Sequence, residues 1–218
     1  MHDEDWLSRW QKNQIGFHDT QVNGHLIQYI SDYGLKPGDT VFLPLCGKSS
    51  DITWLAQQGF QVIGVELSEI AIKSFFTEQK LSYQQFDTGC FVARKSGNIC
   101  LLEGNFFDLH REDLGGCSLV YDRAALIALD QLNRQQYVDW MLSIIGENAE
   151  MLLITLDYDQ SEMKGPPFAV SQTEVRLHYE QTFQIDIIEQ IEIVDESPRW
   201  RDKGLSSLIE TVFQLRRK

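Results

Sequence analysis

The sequence predicts a Rossmann-like α/β fold: a seven-stranded, mostly parallel sheet with one antiparallel strand and helices on both faces. Three observations predict it. Continuous apolar runs at Val41-Phe-Leu43, Val62-Ile-Gly-Val65, Leu119-Val-Tyr121 and Met151-Leu-Leu-Ile-Thr-Leu156 read as strands covered on both sides, the habit of parallel sheets. Segments of helical periodicity separate them, so strand and helix alternate along the chain. Phe183 to Ile193 and Leu208 to Leu215 instead alternate residue by residue, which adds two late strands, one of them reversed.

The first βα unit holds the most information. Val41-Phe42-Leu43 follows a Pro-Gly-Asp turn, and Gly47 follows the strand. Ser49, Ser50 and Asp51 are candidate caps for a helix through Ala56, and Gly59 stops that helix. The second strand, Gln61 to Val65, ends at Glu66. A glycine after one strand lets a ligand approach the backbone, and an acid about 20 residues later can bind a ribose diol. A dinucleotide site would want G-x-G-x-x-G here, but Pro44 and Leu45 fall where the other glycines belong. Gly47-Lys48-Ser49 imitates the end of a P-loop, yet Phe42 stands where that pattern needs its first glycine. The loop suits adenine and ribose without phosphate, as in S-adenosylmethionine (SAM). The plainer alternative is an ordinary α/β unit whose Glu66 faces solvent.

Composition narrows the function classes. The 218 residues predict one domain, 1–218, with a lid and helix in 1–35 and the core sheet and substrate loops in 36–218. Nineteen basic against 32 acidic residues give a net charge of −13, which argues against nucleic acid and anionic membrane as partners. Cys46, Cys90, Cys100 and Cys117 form no C-x-x-C pair, so no metal site is expected. The acidic start does not read as a signal peptide, and no apolar run approaches a bilayer span. A cytoplasmic protein with reduced thiols is expected.

The remaining elements follow in order. Trp6 and Trp10 share a helical face in an arm that also carries Phe17. Their rings either anchor the arm or cover a sulfonium by cation–π attraction. His25 to Ile30 reads as a helix, and Ser68 caps another that runs to about Lys80. Residues 86 to 102 read as a hairpin and a strand, closed by Glu103-Gly-Asn-Phe-Phe-Asp108. In this topology an adenine would lie against Phe106, near the amide of Asn105. Arg123 ends the strand after Asp122, either paired with that acid or facing a ligand. Leu132 to Ile145 and Val175 to Tyr179 read as helices, Gly165-Pro-Pro-Phe168 as a stiff loop, and Glu192 to Trp200 as a turn region. This order is that of the class I SAM-dependent methyltransferases.

Several motifs together resemble one family, the thiopurine S-methyltransferases. They are Trp6-x3-Trp10 with Gly16-Phe-His18, Pro44-Leu-Cys-Gly-Lys48, Gly64-Val-Glu-Leu-Ser68, Phe76-Thr-Glu-Gln79, Asp122-Arg123, Gly165-Pro-Pro-Phe168 and Gly204. The resemblance implies SAM-dependent methylation of sulfur on 6-mercaptopurine-like aromatic thiols, giving S-adenosylhomocysteine, by a monomer without metal. It implies cofactor contacts from Trp10, Leu45, Gly47, Glu66, Asn105, Phe106 and Arg123. It places Phe17, Phe168 and Arg199 at the acceptor, with Arg201 an alternative to Arg199. Arg123 and Arg199 would position and stabilise an anion, and no general base is assigned; His18 is the one titratable group nearby. Selenium or tellurium species, or another small nucleophile, are alternative acceptors.

Overall fold

A computed structural model describes residues 3–16 and 18–218, so Phe17 lies outside the described residues. The chain divides into two compact units, Met1–Val120 with Ile144–Gly146, and Tyr121–Ser143 with Glu147–Lys218.

The first unit carries the information-rich βα repeat. Its strands are β1 (Thr40–Leu43), β2 (Gln61–Glu66), β3 (Gln84–Asp87), β4 (Val92–Ser96) and β5 (Ile99–Glu103), in the spatial order β3-β4-β5-β2-β1. β6 (Leu119–Arg123) starts beside β1, with Val41 opposite Leu119. β1, β2 and β5 run parallel, with Val41 opposite Val62 and Val62 opposite Ile99. β1 is buried along its whole length, as its unbroken apolar run requires. Gly64 in β2 is a packing necessity. A Cβ there would lie 2.7 Å from Cys46 Sγ and 2.9 Å from a Leu101 methyl.

Among the described residues, the α-helices of this unit are α1 (Asp3–Gln11), α2 (Gly24–Tyr29), α3 (Ser50–Gln57) and α4 (Glu69–Glu78). Their starts follow side-chain chemistry. Asn23, Ser49 and Ser68 each accept a backbone N–H of the first turn, satisfying donors that a helix start otherwise leaves open. Asp51, 1% exposed, accepts the Asn23 N–H at 2.8 Å and so ties the start of α2 to α3.

The second unit contains β7 (Glu150–Asp157), β8 (Phe183–Glu192) and β9 (Ile209–Arg217), in the order β7-β9-β8. β9 runs antiparallel to both neighbours, the reversed strand the sequence predicts, and β8 is the edge. Its helices are α5 (Gln131–Ile144), α6 (Gln172–Tyr179) and α7 (Pro198–Asp202).

Two expectations change. Nine strands are present among the described residues rather than seven: the expected hairpin before β5 supplies β3 and β4, and β4 pairs antiparallel with β5. β4 is therefore a second reversed strand. β3 is exposed at all four residues, so no core face marked it in the sequence. Glu192 to Trp200, expected as a turn, holds the start of α7, with Ser197 at its N-cap and Pro198 in the first turn.

Candidate active site

β1 ends at Leu43, and the loop to α3 bends through left-handed backbone at Leu45 (φ +45°) and Gly47 (φ +54°). Gly47 suits that conformation; Leu45 adopts it at a cost, the kind of local strain that clusters at ligand sites. The Trp10 ring lies over this turn, 3.4 Å from where a Gly47 Cβ would stand. Trp10 is buried, whereas Trp6 is half-buried with the Arg9 guanidinium 5.6 Å from its ring centroid. Lys48, in the segment that imitates the end of a P-loop, pairs with Glu78 at 2.7 Å.

Glu66 stands at the carboxyl end of β2 and is 7% exposed. Its two oxygens accept the Gly47 N–H at 2.9 Å and the Ser68 N–H at 2.8 Å. Burial pushes its pKa up, while these backbone donors pull it back. A carboxylate held by backbone N–H groups at the end of β2 is the kind of acceptor a ribose diol needs. The Cys46 thiol beside it is pushed up by burial and then by the Glu66 charge, so it stays neutral.

β5 closes with Glu103, opposite Glu66 in the strand register. Asn105 follows, its carbonyl accepting the Phe107 N–H at 2.9 Å and its amide donating to Asp3 at 3.1 Å. The adjacent rings divide their roles, Phe106 buried and Phe107 40% exposed. Trp10, Leu45, Gly47, Glu66, Asn105 and Phe106 all belong to the first unit, and the structure brings Trp10, Gly47 and Glu66 together there. The site chemistry fits the adenosine part of SAM: a fixed carboxylate for the diol, a side-chain amide and aromatic carbon, with no phosphate cradle.

In the second unit, Asp122 and Arg123 do not pair. Asp122 is fully buried, accepts the Tyr137 hydroxyl at 2.7 Å and the Leu126 N–H at 3.1 Å, and is pushed up to about 6 by burial. The Arg123 guanidinium is half-buried and has no ion pair among the described residues. Ala124 follows it with φ +77°. Asp122 thus organises the turn after β6, and the arginine stays available.

Gly165-Pro-Pro-Phe168 is a tight loop with cis peptide bonds before both prolines. The Phe168 ring covers Gly165 so closely that a Cβ there would sit 2.6 Å from it. The Phe168 N–H donates to Ile127 O at 2.7 Å, and a cavity of about 380 Å³ opens beside its ring, with Arg134, Gln160 and Lys164 in the wall.

The two candidate acceptor arginines differ. Arg201 grips Asp195 with Nε and Nη2 (2.7 and 3.0 Å) and donates to the carbonyls of Leu205 and Ser206, closing its own loop. Arg199 is exposed, its guanidinium 4.3 Å from the Trp200 ring centroid. His18 is half-buried.

Sequence reasoning missed Arg94. It is 1% exposed in the middle of β4 and pairs with Glu103 and, at 3.3 Å, with Glu69. An arginine followed directly by Lys95 in a five-residue strand carries no signal of burial. Tyr137, which holds Asp122, was equally hidden in the apolar pattern of α5.

Comparisons with known proteins bear on the fold and the family. Among solved structures, a SAM-dependent methyltransferase from Anabaena variabilis superposes with a TM-score of 0.65 at 13% identity, covering 99% of this chain and 95% of that one. The 1,6-didemethyltoxoflavin-N1-methyltransferase of Burkholderia thailandensis, bound to S-adenosylhomocysteine, gives 0.66 at 12% identity, covering 99% and 87%. The fold is that of the class I SAM-dependent methyltransferases. Sequence relatives are nearer. The thiopurine S-methyltransferase of Pseudomonas putida is 43% identical over 212 residues, 97% of this chain and 98% of that protein. That of Azotobacter vinelandii is 42% identical over 218 residues, all of both chains. The family profile described as Thiopurine S-methyltransferase (TPMT) spans residues 1–218, and the chain belongs to that family.

Proposed function

We propose that this protein is a SAM-dependent S-methyltransferase whose acceptors are thiopurines and related aromatic or heterocyclic thiols. The observation that carries the reading is Glu66. It is a buried carboxylate locked by the Gly47 and Ser68 amides at the end of β2, on a loop with one glycine and no phosphate cradle, in a chain of this family.

When bound, SAM supplies an electrophilic methyl on a positively charged sulfur. Glu66 would hold the ribose hydroxyls, Asn105 and Phe106 the adenine, and Leu45 and Gly47 the turn against which the cofactor rests. Trp10 would exclude water and face the sulfonium. Phe17, Phe168 and Arg199 would hold the acceptor ring and its negative charge. Arg123 would bind an anion, either the cofactor's carboxylate or the acceptor. Neither arginine serves as a base, because guanidinium does not deprotonate in proteins. None is needed: a heterocyclic thiol is substantially nucleophilic near neutral pH, so these side chains contribute alignment and a dry, low-dielectric surround in which opposite charges cancel.

The protein is read as one working methyltransferase domain, a monomer acting in the cytoplasm on small molecules. Among the described residues no helix is long and apolar enough to cross a membrane, and no group of three metal-ligating side chains occurs. The test is mass spectrometry of a reaction containing protein, SAM and 6-mercaptopurine. S-methyl product and S-adenosylhomocysteine should appear together. SAM binding without turnover would overturn the acceptor, and absence of SAM binding would overturn the whole reading.

A further inference from the structure

Arg94 is a long cation sealed inside the first unit, 1% exposed. Its Nη1 pairs with Glu103 at the end of β5, and its Nη2 lies 3.3 Å from Glu69. The guanidinium carbon is also 5.9 Å from the Tyr83 ring centroid. Burying an arginine this far costs several kcal/mol unless its partners compensate, so its placement constrains both acids.

The two acids flank the cofactor loop. Glu69 is the first residue of α4, three positions beyond Glu66, and Ser68 between them donates to Glu66 and caps α4. Glu103 is the register partner of Glu66 on the neighbouring parallel strand, so both side chains leave the same face of the sheet about 4.8 Å apart at the backbone. Their carboxylates diverge: Glu66 is drawn to Gly47 on the β1 side, and Glu103 to Arg94 on the β4 side. Without Arg94, two like charges would share that edge, and the turn from β2 into α4 would keep its backbone bond from the Gly104 N–H to Glu66 O but lose its side-chain tie to β5.

We propose that Arg94 is a positioning residue for SAM, clamping the Glu66–Glu69 turn to β5 and keeping Glu103 turned away from Glu66. It touches neither substrate, and the proposal rests on the reading of Glu66 as the ribose ligand. Its mark is selective: cofactor affinity depends on Arg94, whereas acceptor affinity does not.

The test compares Arg94→Gln, Arg94→Lys, Glu69→Gln and Glu66→Ala. Calorimetric SAM affinity, melting temperature without ligand, and acceptor KM and kcat at saturating SAM are measured for each. Arg94→Gln should raise the SAM Kd about tenfold while acceptor KM and kcat stay within about twofold. Arg94→Lys should recover only part of the loss, because a point charge does not bridge two carboxylates as a planar fork does. Glu69→Gln, at a half-exposed partner, should raise the SAM Kd about threefold without lowering the melting temperature. A folded Arg94→Gln with SAM Kd within about twofold of wild type overturns the proposal. If that variant does not fold, unchanged SAM affinity in Glu69→Gln overturns it instead. Should Glu66→Ala bind SAM normally, the ribose reading itself falls, and the clamp with it.

Discussion

Glu66 and Asp122 are both carboxylates at strand ends, and their partners give them different work. Glu66 is held by backbone amides, the Gly47 and Ser68 N–H groups among them. Glu66→Ala should raise the calorimetric SAM Kd by about tenfold or more, the scale of losing charge-assisted hydrogen bonds. Unchanged affinity would remove Glu66 from the site. Arg123→Lys should lower kcat/KM at least about tenfold if a planar fork is needed, and wild-type turnover would refute that role. Asp122, by contrast, is spent on Tyr137 and the turn amides. Its pKa, raised by burial from 3.8 to about 6, means the folded chain holds this proton more tightly than the unfolded one. The stability it contributes is therefore complete below about pH 4 and lost as pH rises through about 6, on the order of 3 kcal/mol. Asp122→Asn should flatten the fall in unfolding free energy across that window relative to wild type. Parallel slopes in denaturant titrations at several pH values would contradict it.

At the scale of elements, close approach decides where substitution hurts. Gly64 lets β2 pass Cys46 and Leu101, and a methyl group there has nowhere to go. Gly64→Ala should destabilise by about 1–3 kcal/mol and, through the loop that Cys46 belongs to, weaken SAM binding. Denaturant midpoints and calorimetry together check it; an unshifted midpoint would show that the strand relaxes freely. Gly165→Ala combines a left-handed backbone (φ +77°) with a Cβ driven into the Phe168 ring. It should raise acceptor KM while leaving SAM affinity unchanged, and the reverse pattern would place this loop with the cofactor.

For the whole molecule, ligand binding to the folded state adds stability by mass action. SAM at about one hundred times its Kd should add about 2.7 kcal/mol and raise the melting temperature, and Glu66→Ala should lose most of that shift at the same concentration. An equal shift in both proteins would mean that SAM is held without the carboxylate. Much of this was legible in the residues. Buried strands announce themselves because a parallel sheet covered on both faces must be apolar throughout, and Asn23, Ser49 and Ser68 carry helix starts in their own side chains. The hairpin before β5 was legible from its glycines, but the count of seven left its strands out, and β3 has no buried face. By itself, then, the sequence determined the alternating α/β order, the single-glycine loop, the acid at the end of β2 and the family to which they belong, since all of these rest on local chemistry and spacing. Only the tertiary structure decided that Asp122 belongs to Tyr137 rather than Arg123, that Arg201 is committed to Asp195, that Lys48 pairs with Glu78, and that Arg94 joins Glu69 to Glu103. Each of these is a charge choosing a partner across space, a choice set by burial and geometry that spacing along the chain does not encode.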